Sequence, residues 1–171
     1  MNTSCVSQLS ENKEDLILVT DEADIPYFVL SAVTDFPSIG IVSDRFPLLA
    51  NLNVIENITL FSMYHENIGF KEASERIKPY FSDLDMAEVS RKRKENLTRQ
   101  ELIQTYALRC FSRGCDFIMT DFDKMSDMKI LRETLDKTKK RVFLWIMCSQ
   151  NDLGNFSEFN YKKMRISGCN I

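Results

Sequence analysis

Four short apolar runs restrict this chain more than anything else in it. They are Leu16-Ile-Leu-Val-Thr20, Ile39-Gly-Ile-Val42, Phe117-Ile-Met-Thr120 and Val142 to Cys148. Each is too short for a helix and apolar throughout, which is the pattern of strands buried on both faces of a parallel sheet. Lys162 to Ile166 reads as a last strand. Helical patterns lie between the runs, so an α/β fold with a mainly parallel sheet is expected.

The first helix is expected to start at Asp24, with Pro26 in its first turn, and to reach about Val33. Asn53 to about Glu66 and Phe70 to about Phe81 read as two more helices separated by Gly69, with Pro79 ending or kinking the second. Thr98-x-x-Glu101 is a capping box. Behind it Leu102, Ile103, Tyr106, Ala107 and Cys110 form one apolar stripe at helical spacing. Met128, Leu131 and Leu135 mark the face of a further helix. Residues 1–14 read as a flexible lead-in and 15–171 as one domain.

Composition narrows the function classes. The 171 residues carry a net charge of −3, so no basic field points to nucleic acid. The five cysteines, Cys5, Cys110, Cys115, Cys148 and Cys169, include no C-x-x-C pair, and His65 is the lone histidine, which argues against zinc. Cys110 and Cys148 lie in apolar runs and read as buried free thiols, in keeping with a reducing compartment. His65 reads as a surface or helix-end residue, and Arg91-Lys-Arg-Lys94 as a solvated basic loop. No run reaches ~18 apolar residues, and Met1 to Glu14 has no signal-peptide core, so membrane contact is expected only through a partner.

Two stretches carry a family resemblance. Ile39-Gly-Ile-Val-Ser-Asp-Arg-Phe-Pro-Leu-Leu-Ala-Asn-Leu-Asn-Val-Ile-Glu-Asn-Ile58 resembles the Q-loop segment of ABC transporter ATP-binding subunits, with Val54, Glu56, Asn57 and Ile58 in family positions. The glutamine position is held by Asp44. Leu97 to Asp123 resembles the signature helix and Walker B strand. There Thr98 takes the serine position, while Arg99, Gln100 and Glu101 replace Gly-Gly-Gln. Asp121 falls on the Walker B aspartate, Phe122 on the catalytic glutamate and Asp123 on the following proline. The resemblance implies a P-loop-NTPase-like sheet with a helical subdomain inserted at about 46–95. Only five residues separate Val33 from Ile39, so the antiparallel β-subdomain and its adenine clamp are expected to be reduced or absent.

The residues that would contact ATP and Mg²⁺ in that family are replaced. Thr20-Asp-Glu-Ala-Asp-Ile-Pro-Tyr27 lies over the phosphate loop. Thr20 and Ile25 stand for its glycines, Pro26 for its lysine and Tyr27 for its hydroxyl ligand. Such a loop needs glycines to turn backbone N–H groups toward phosphate, a lysine for charge and a hydroxyl for Mg²⁺. Asp21, Glu22 and Asp24 are expected to face the phosphates, and a like-charge pair at about 4 Å costs roughly 4 kcal/mol at an effective dielectric near 20. Phe122 cannot accept a proton, and the switch-histidine register offers only Met147, Cys148 or Ser149.

The resemblance therefore implies a degenerate subunit with no bound cofactor and no ATP turnover of its own. Its expected partner is a permease-type membrane protein, met at the inner face of the membrane from the cytoplasm. Pairing with itself or with an intact ATPase subunit stays open. Asp44, Phe46, Phe61 and Tyr64 are the candidate partner-binding residues. Most of the aromatics Phe46, Phe61, Tyr64, Phe70, Tyr80 and Phe81 are expected in the core, with the remainder lining a docking groove. Two other readings remain at this stage. One is an unrelated flavodoxin- or Rossmann-like binding module, which would alternate evenly through 46–95. The other is a metal site on Asp121 and Asp123.

Overall fold

The computed structural model describes residues 13–166, with Leu9 and Glu11 ahead of them. Most of the lead-in, Cys5, Gly168 and Cys169 lie outside the described residues. The apolar runs form β1 (Leu16–Val19), β2 (Ile39–Val42), β3 (Phe117–Thr120) and β4 (Phe143–Cys148), and Lys162–Arg165 forms β5. They make one sheet in the order β2-β3-β4-β1-β5, with every pairing parallel.

Alternate residues along the strands serve two cores, as a period of two requires. Leu16, Leu18, Ile39, Ile41, Met119, Trp145 and Met147 pack with Phe28, Val29 and Ala32 of α1 (Ile25–Asp35). Ile17, Val19, Val42, Ile118, Leu144 and Ile146 join the other core. That core is completed by α2 (Val54–His65), α3 (Phe70–Asp83), α4 (Arg99–Ser112) and α5 (Met125–Thr138). The segment before β1 is tied down: the Glu14 carbonyl accepts from the Trp145 indole at 3.2 Å, and the Asp15 carboxylate accepts from the Leu144 N–H at 2.7 Å.

The stretch between β2 and α4 contains α2, α3 and two 3-10 turns, Ala87–Arg91 and Lys94–Asn96, and no strand. It is a helical subdomain rather than an evenly alternating one. No antiparallel subdomain lies between α1 and β2, because only Phe36, Pro37 and Ser38 connect them.

Helix α4 holds the two halves together, packing against β2, α2, α3 and α5. Its close approach to β2 depends on Gly40, where a Cβ would lie 2.5 Å from both Cβ and Sγ of Cys110. The capping box forms as expected: Thr98 Oγ1 accepts from the Glu101 N–H at 3.2 Å, and the Thr98 N–H donates to Glu101 Oε2 at 2.8 Å.

Three local expectations are corrected. Asp24 makes no side-chain cap, because a 3-10 turn at Glu22–Asp24 leads into α1 and gives Asp24 helical angles instead of the extended ones a cap needs. Of the two outcomes expected for Pro79, ending α3 is overturned, since the helix continues to Asp83. Pro79 and Glu75 are both exposed, so water can take the carbonyl that the missing N–H leaves free. Of the six aromatics in and around the helical subdomain, only Phe81 is buried. Phe46, Phe61 and Tyr80 are half-buried and Tyr64 and Phe70 exposed, because α2 and α3 bury only the faces turned to α4. No helix among the described residues is long and apolar enough to cross a membrane.

Candidate functional site

The carboxyl ends of β1, β2, β3 and β4 open into one crevice of about 620 Å³. Ligands of open parallel sheets bind at such an edge, because strand ends and following loops converge there. Its walls include Glu22, Ile25, Ser43, Asp44, Arg45, Asp121, Phe122, Asp123, Cys148 and Asp152. Sequence reasoning thus brings Ile25, Asp44, Asp121, Phe122, Asp123 and Cys148 together. Pro26 and Tyr27 are not on the walls, and Tyr27 points to solvent.

The negative field of the crevice does not arise as the sequence suggests. Of Asp21, Glu22 and Asp24, only Glu22 lines it; the 3-10 turn carries the other two away. Asp44, Asp121, Asp123 and Asp152, from three other strand ends, supply the remaining carboxylates. Two backbone donors of the Thr20–Tyr27 segment are engaged and a third is missing. The Thr20 N–H donates to the Cys148 carbonyl at 3.1 Å, the Asp24 N–H to the Asp21 carbonyl at 2.9 Å, and Pro26 has none.

The side chains at the crevice bind one another. Arg99 donates to both Asp44 oxygens, at 2.7 and 2.8 Å, and to Asp127 Oδ2 from Nε and Nη2, at 3.1 and 2.7 Å. Its guanidinium lies 5.0 Å from the centre of the Phe122 ring. Hydrogen bonds from Asp44 first, then Asp127, raise its pKa above the usual arginine value against the opposing effect of burial. Arg45 Nε donates to Asp121 Oδ2 at 2.7 Å, and the Asp121 side chain is 6% exposed. The two arginines therefore neutralise Asp44 and Asp121 from within the chain. Arg45, and Asp127 in the first turn of α5, are the members of this network that sequence reasoning missed. The one sequence cue for Asp127 is acidic placement at a helix start, and Arg45 in its loop has none.

Thr98 and Gln100 sit at the exposed start of α4, Thr98 engaged in the cap. Cys148 closes β4 as a buried free thiol whose pKa burial pushes up to about 11; Cys110 is likewise buried and pushed up to about 12. Among the described residues, no three His, Cys, Asp or Glu side chains converge to hold a metal.

A second cavity, of about 610 Å³, opens beside the Q-loop-like segment. Phe46, Pro47 and Leu49 form one wall, Asn57, Leu60, Phe61, Tyr64 and His65 of α2 another, and Arg109, Cys110 and Arg113 the floor. Phe46, Phe61 and Tyr64 come together there as the sequence places them, whereas Asp44 does not, because Arg99 draws it to the crevice. Tyr64 is 80% exposed and Leu49 49%. His65 ends α2, exposed and stacked on Phe61 with ring centres 4.3 Å apart.

Asn57 and Glu56 have a structural part in this groove. The Asn57 side chain accepts from the Leu49 N–H at 2.7 Å and donates to the Leu49, Leu52 and Asn53 carbonyls. Glu56 and Asn53 form a capping box at the start of α2. The Val-x-Glu-Asn match thus holds the groove's loop on its helix.

No family model and no curated protein sequence matches the chain. Solved structures do. A nucleotide-free ATP-binding cassette from an ABC transporter is similar over 82% of this chain and 72% of that one, with a TM-score of 0.61 at 10% identity. The cbiO1 protein of Clostridium perfringens, part of the ABC transporter complex cbiONQ, is similar over 80% of this chain and 67% of that one, with a TM-score of 0.60 at 11% identity. The fold is therefore that of ATP-binding cassettes, a P-loop-NTPase-like parallel sheet with a helical subdomain.

Proposed function

We propose that the chain is a degenerate homologue of ABC transporter ATP-binding subunits that serves as a structural or regulatory partner of a membrane permease complex. It neither binds nor hydrolyses ATP itself. It works as a single domain from residue 15 onward, in the cytoplasm at the inner face of the membrane, held there by its partner. The observation that carries the reading is the crevice network: Arg99 and Arg45 occupy Asp44 and Asp121 where a nucleotide and its metal would be held. The similarity to cbiO1, part of a transporter complex, supports the partner class.

The losses act together. A triphosphate entering the crevice meets several carboxylates and no lysine, and the Thr20 and Asp24 amides are already bonded. Phe122, buried beneath Arg99, offers no base to an attacking water. The open groove at Phe46, Phe61 and Tyr64 is the docking face for the permease-type partner. Isothermal titration with Mg·ATP tests the reading: no saturable heat and no phosphate release are expected. Micromolar binding or turnover by the purified chain would overturn it.

A further inference from the structure

The net charge of −3 is spread unevenly between the two ends of the sheet. The crevice end gathers Glu22, Asp44, Asp121, Asp123 and Asp152, with Arg45 and Arg99 among them. At the opposite end, the turn from α5 into β4 reads Lys137-Thr-Lys-Lys-Arg141. None of its four cations makes an ion pair among the described residues. Asp136 is taken up by Arg132, and Glu133, one turn before Lys137, forms no ion pair with it. Asp116, just before β3, is the carboxylate that acts on Lys140.

Helix ends explain part of this cluster. Lys140 Nζ donates to the Phe111 carbonyl at the end of α4 at 3.4 Å and lies 5.2 Å from the centre of the Phe111 ring. Lys137 stands in the last turn of α5, where its charge offsets the helix dipole. Lys139 and Arg141 have no such part. Lys139 is left-handed, at φ 52°, in the place just after a helix where glycine fits without strain. A lysine there costs the fold stability and turns its charge to solvent. Arg141 is exposed too, 5.9 Å from the centre of the half-buried Phe143 ring.

These cations sit on an exposed turn, and neither the crevice nor the groove is lined by them. A layer of lipid headgroups asks for exposed charge and no shaped pocket. Arg113, on the floor of the groove, acts with Lys140 on Cys115, so the turn adjoins the docking face.

We infer that Lys137, Lys139, Lys140 and Arg141 rest on an anionic phospholipid surface. This rests on the reading of the chain as part of a membrane complex and adds a direct contact with lipid beside the permease. At about fivefold per cation the adhesion is weak and salt-sensitive, and works only together with a second anchor.

The test is co-sedimentation of the purified full chain with vesicles of phosphatidylcholine, alone or with about 30% phosphatidylserine, at about 0.1 M and about 0.5 M salt. Wild type is expected to bind the anionic vesicles at the lower salt, and neither the neutral vesicles nor any vesicle at the higher salt. Variants are first shown to be folded by their thermal transitions. Lys137→Gln/Lys139→Gly/Arg141→Gln should bind on the order of a hundredfold more weakly. Arg91→Gln/Arg93→Gln/Lys94→Gln, which removes as much charge from the basic loop before α4, should bind like wild type. Lys139→Gly alone should bind about fivefold more weakly and melt about 2–4 °C higher. A lower melting temperature would show that the lysine serves the fold, and would overturn the inference. So would wild type that ignores anionic vesicles, a turn variant that binds as wild type does, or a loop variant that loses as much. Each of these leaves the permease reading standing, since the Mg·ATP titration tests that separately. Binding to soluble polyglutamate that the turn variant loses, with none to vesicles, would overturn the inference in favour of an acidic protein.

Discussion

The two ends of α4 meet the two cavities in opposite states. At its start Arg99 is clamped by two aspartates and lies over Phe122; at its end Arg113 has a buried Nε with no partner. One helix thus carries a guanidinium satisfied by the chain's own carboxylates and ends at another whose buried Nε lacks an acceptor among the described residues. In the crevice, Arg45 has found Asp121 across 76 residues and Arg99 has found Asp44 across 55. In the groove, Tyr64 and Leu49 stay exposed, and the Arg113 Nε has no acceptor among the described residues. The contrast teaches where to look for function: a site closed by its own ion pairs has no need of a ligand, whereas one with unmet donors and exposed apolar area does.

The comparison can be broken most severely at Gly40, since both ends of α4 depend on its seat against β2. Gly40→Ala forces a methyl into Cys110 and is expected to cost about 3 kcal/mol by urea denaturation. A loss near zero would show that α4 can shift without harm. Asp127→Ala should cost about 2 kcal/mol, because its carboxylate is nearly buried and Arg99 loses its inner partner. Asp44→Ala, with the carboxylate more than half exposed, should cost under about 1 kcal/mol. If the two costs were equal, the network would not be anchored on α5. Thr98→Ala removes the cap of the same helix end and should cost about 1 kcal/mol.

Acid should loosen this end first. Lys92, then the Thr98 N–H, hold the Glu101 carboxyl below its ordinary value of 4.5. A folded pKa lower than the unfolded one gives stability that is complete above 4.5 and lost as pH falls through the depressed value. Glu101→Gln should therefore flatten the acid limb of the stability curve below pH 4.5 while leaving its shape at neutral pH. At the groove, Leu49→Asp/Tyr64→Asp should change stability by no more than about 0.5 kcal/mol per site, both side chains being exposed. A larger loss would mean that the groove is part of the core.

What the sequence could disclose followed from local rules. Apolar runs gave β1 to β4 through their lack of alternation, and Thr98 with Glu101 announced the start of α4 four residues before its first buried side chain. The helical stretch between β2 and α4 was legible because apolar spacing changes there from strand to helix. The crevice residues could be gathered only through the resemblance. Its internal pairing was not legible, because Arg45–Asp121 and Arg99–Asp127 join distant segments that no spacing rule connects. The 3-10 turn at Glu22–Asp24 was hidden for another reason: Asp before Pro reads equally well as a cap. The aromatics of α2 and α3 misled because hydrophobicity alone does not say whether a helix has neighbours on one side or two.

Arginine side-chain NMR of the Nε–H groups, recorded with and without millimolar Mg·ATP, tests the contrast between the two ends directly. Arg45 and Arg99 donate from Nε to Asp121 and Asp127, whereas Arg113 has no Nε acceptor among the described residues. The expected spectrum has slowly exchanging, downfield Nε–H signals for Arg45 and Arg99, a signal for Arg113 at the shift of a non-bonded guanidinium, and no movement of any of them on adding nucleotide. Saturable displacement of the Arg45 or Arg99 signals by Mg·ATP would show that nucleotide opens the crevice, and would contradict the account.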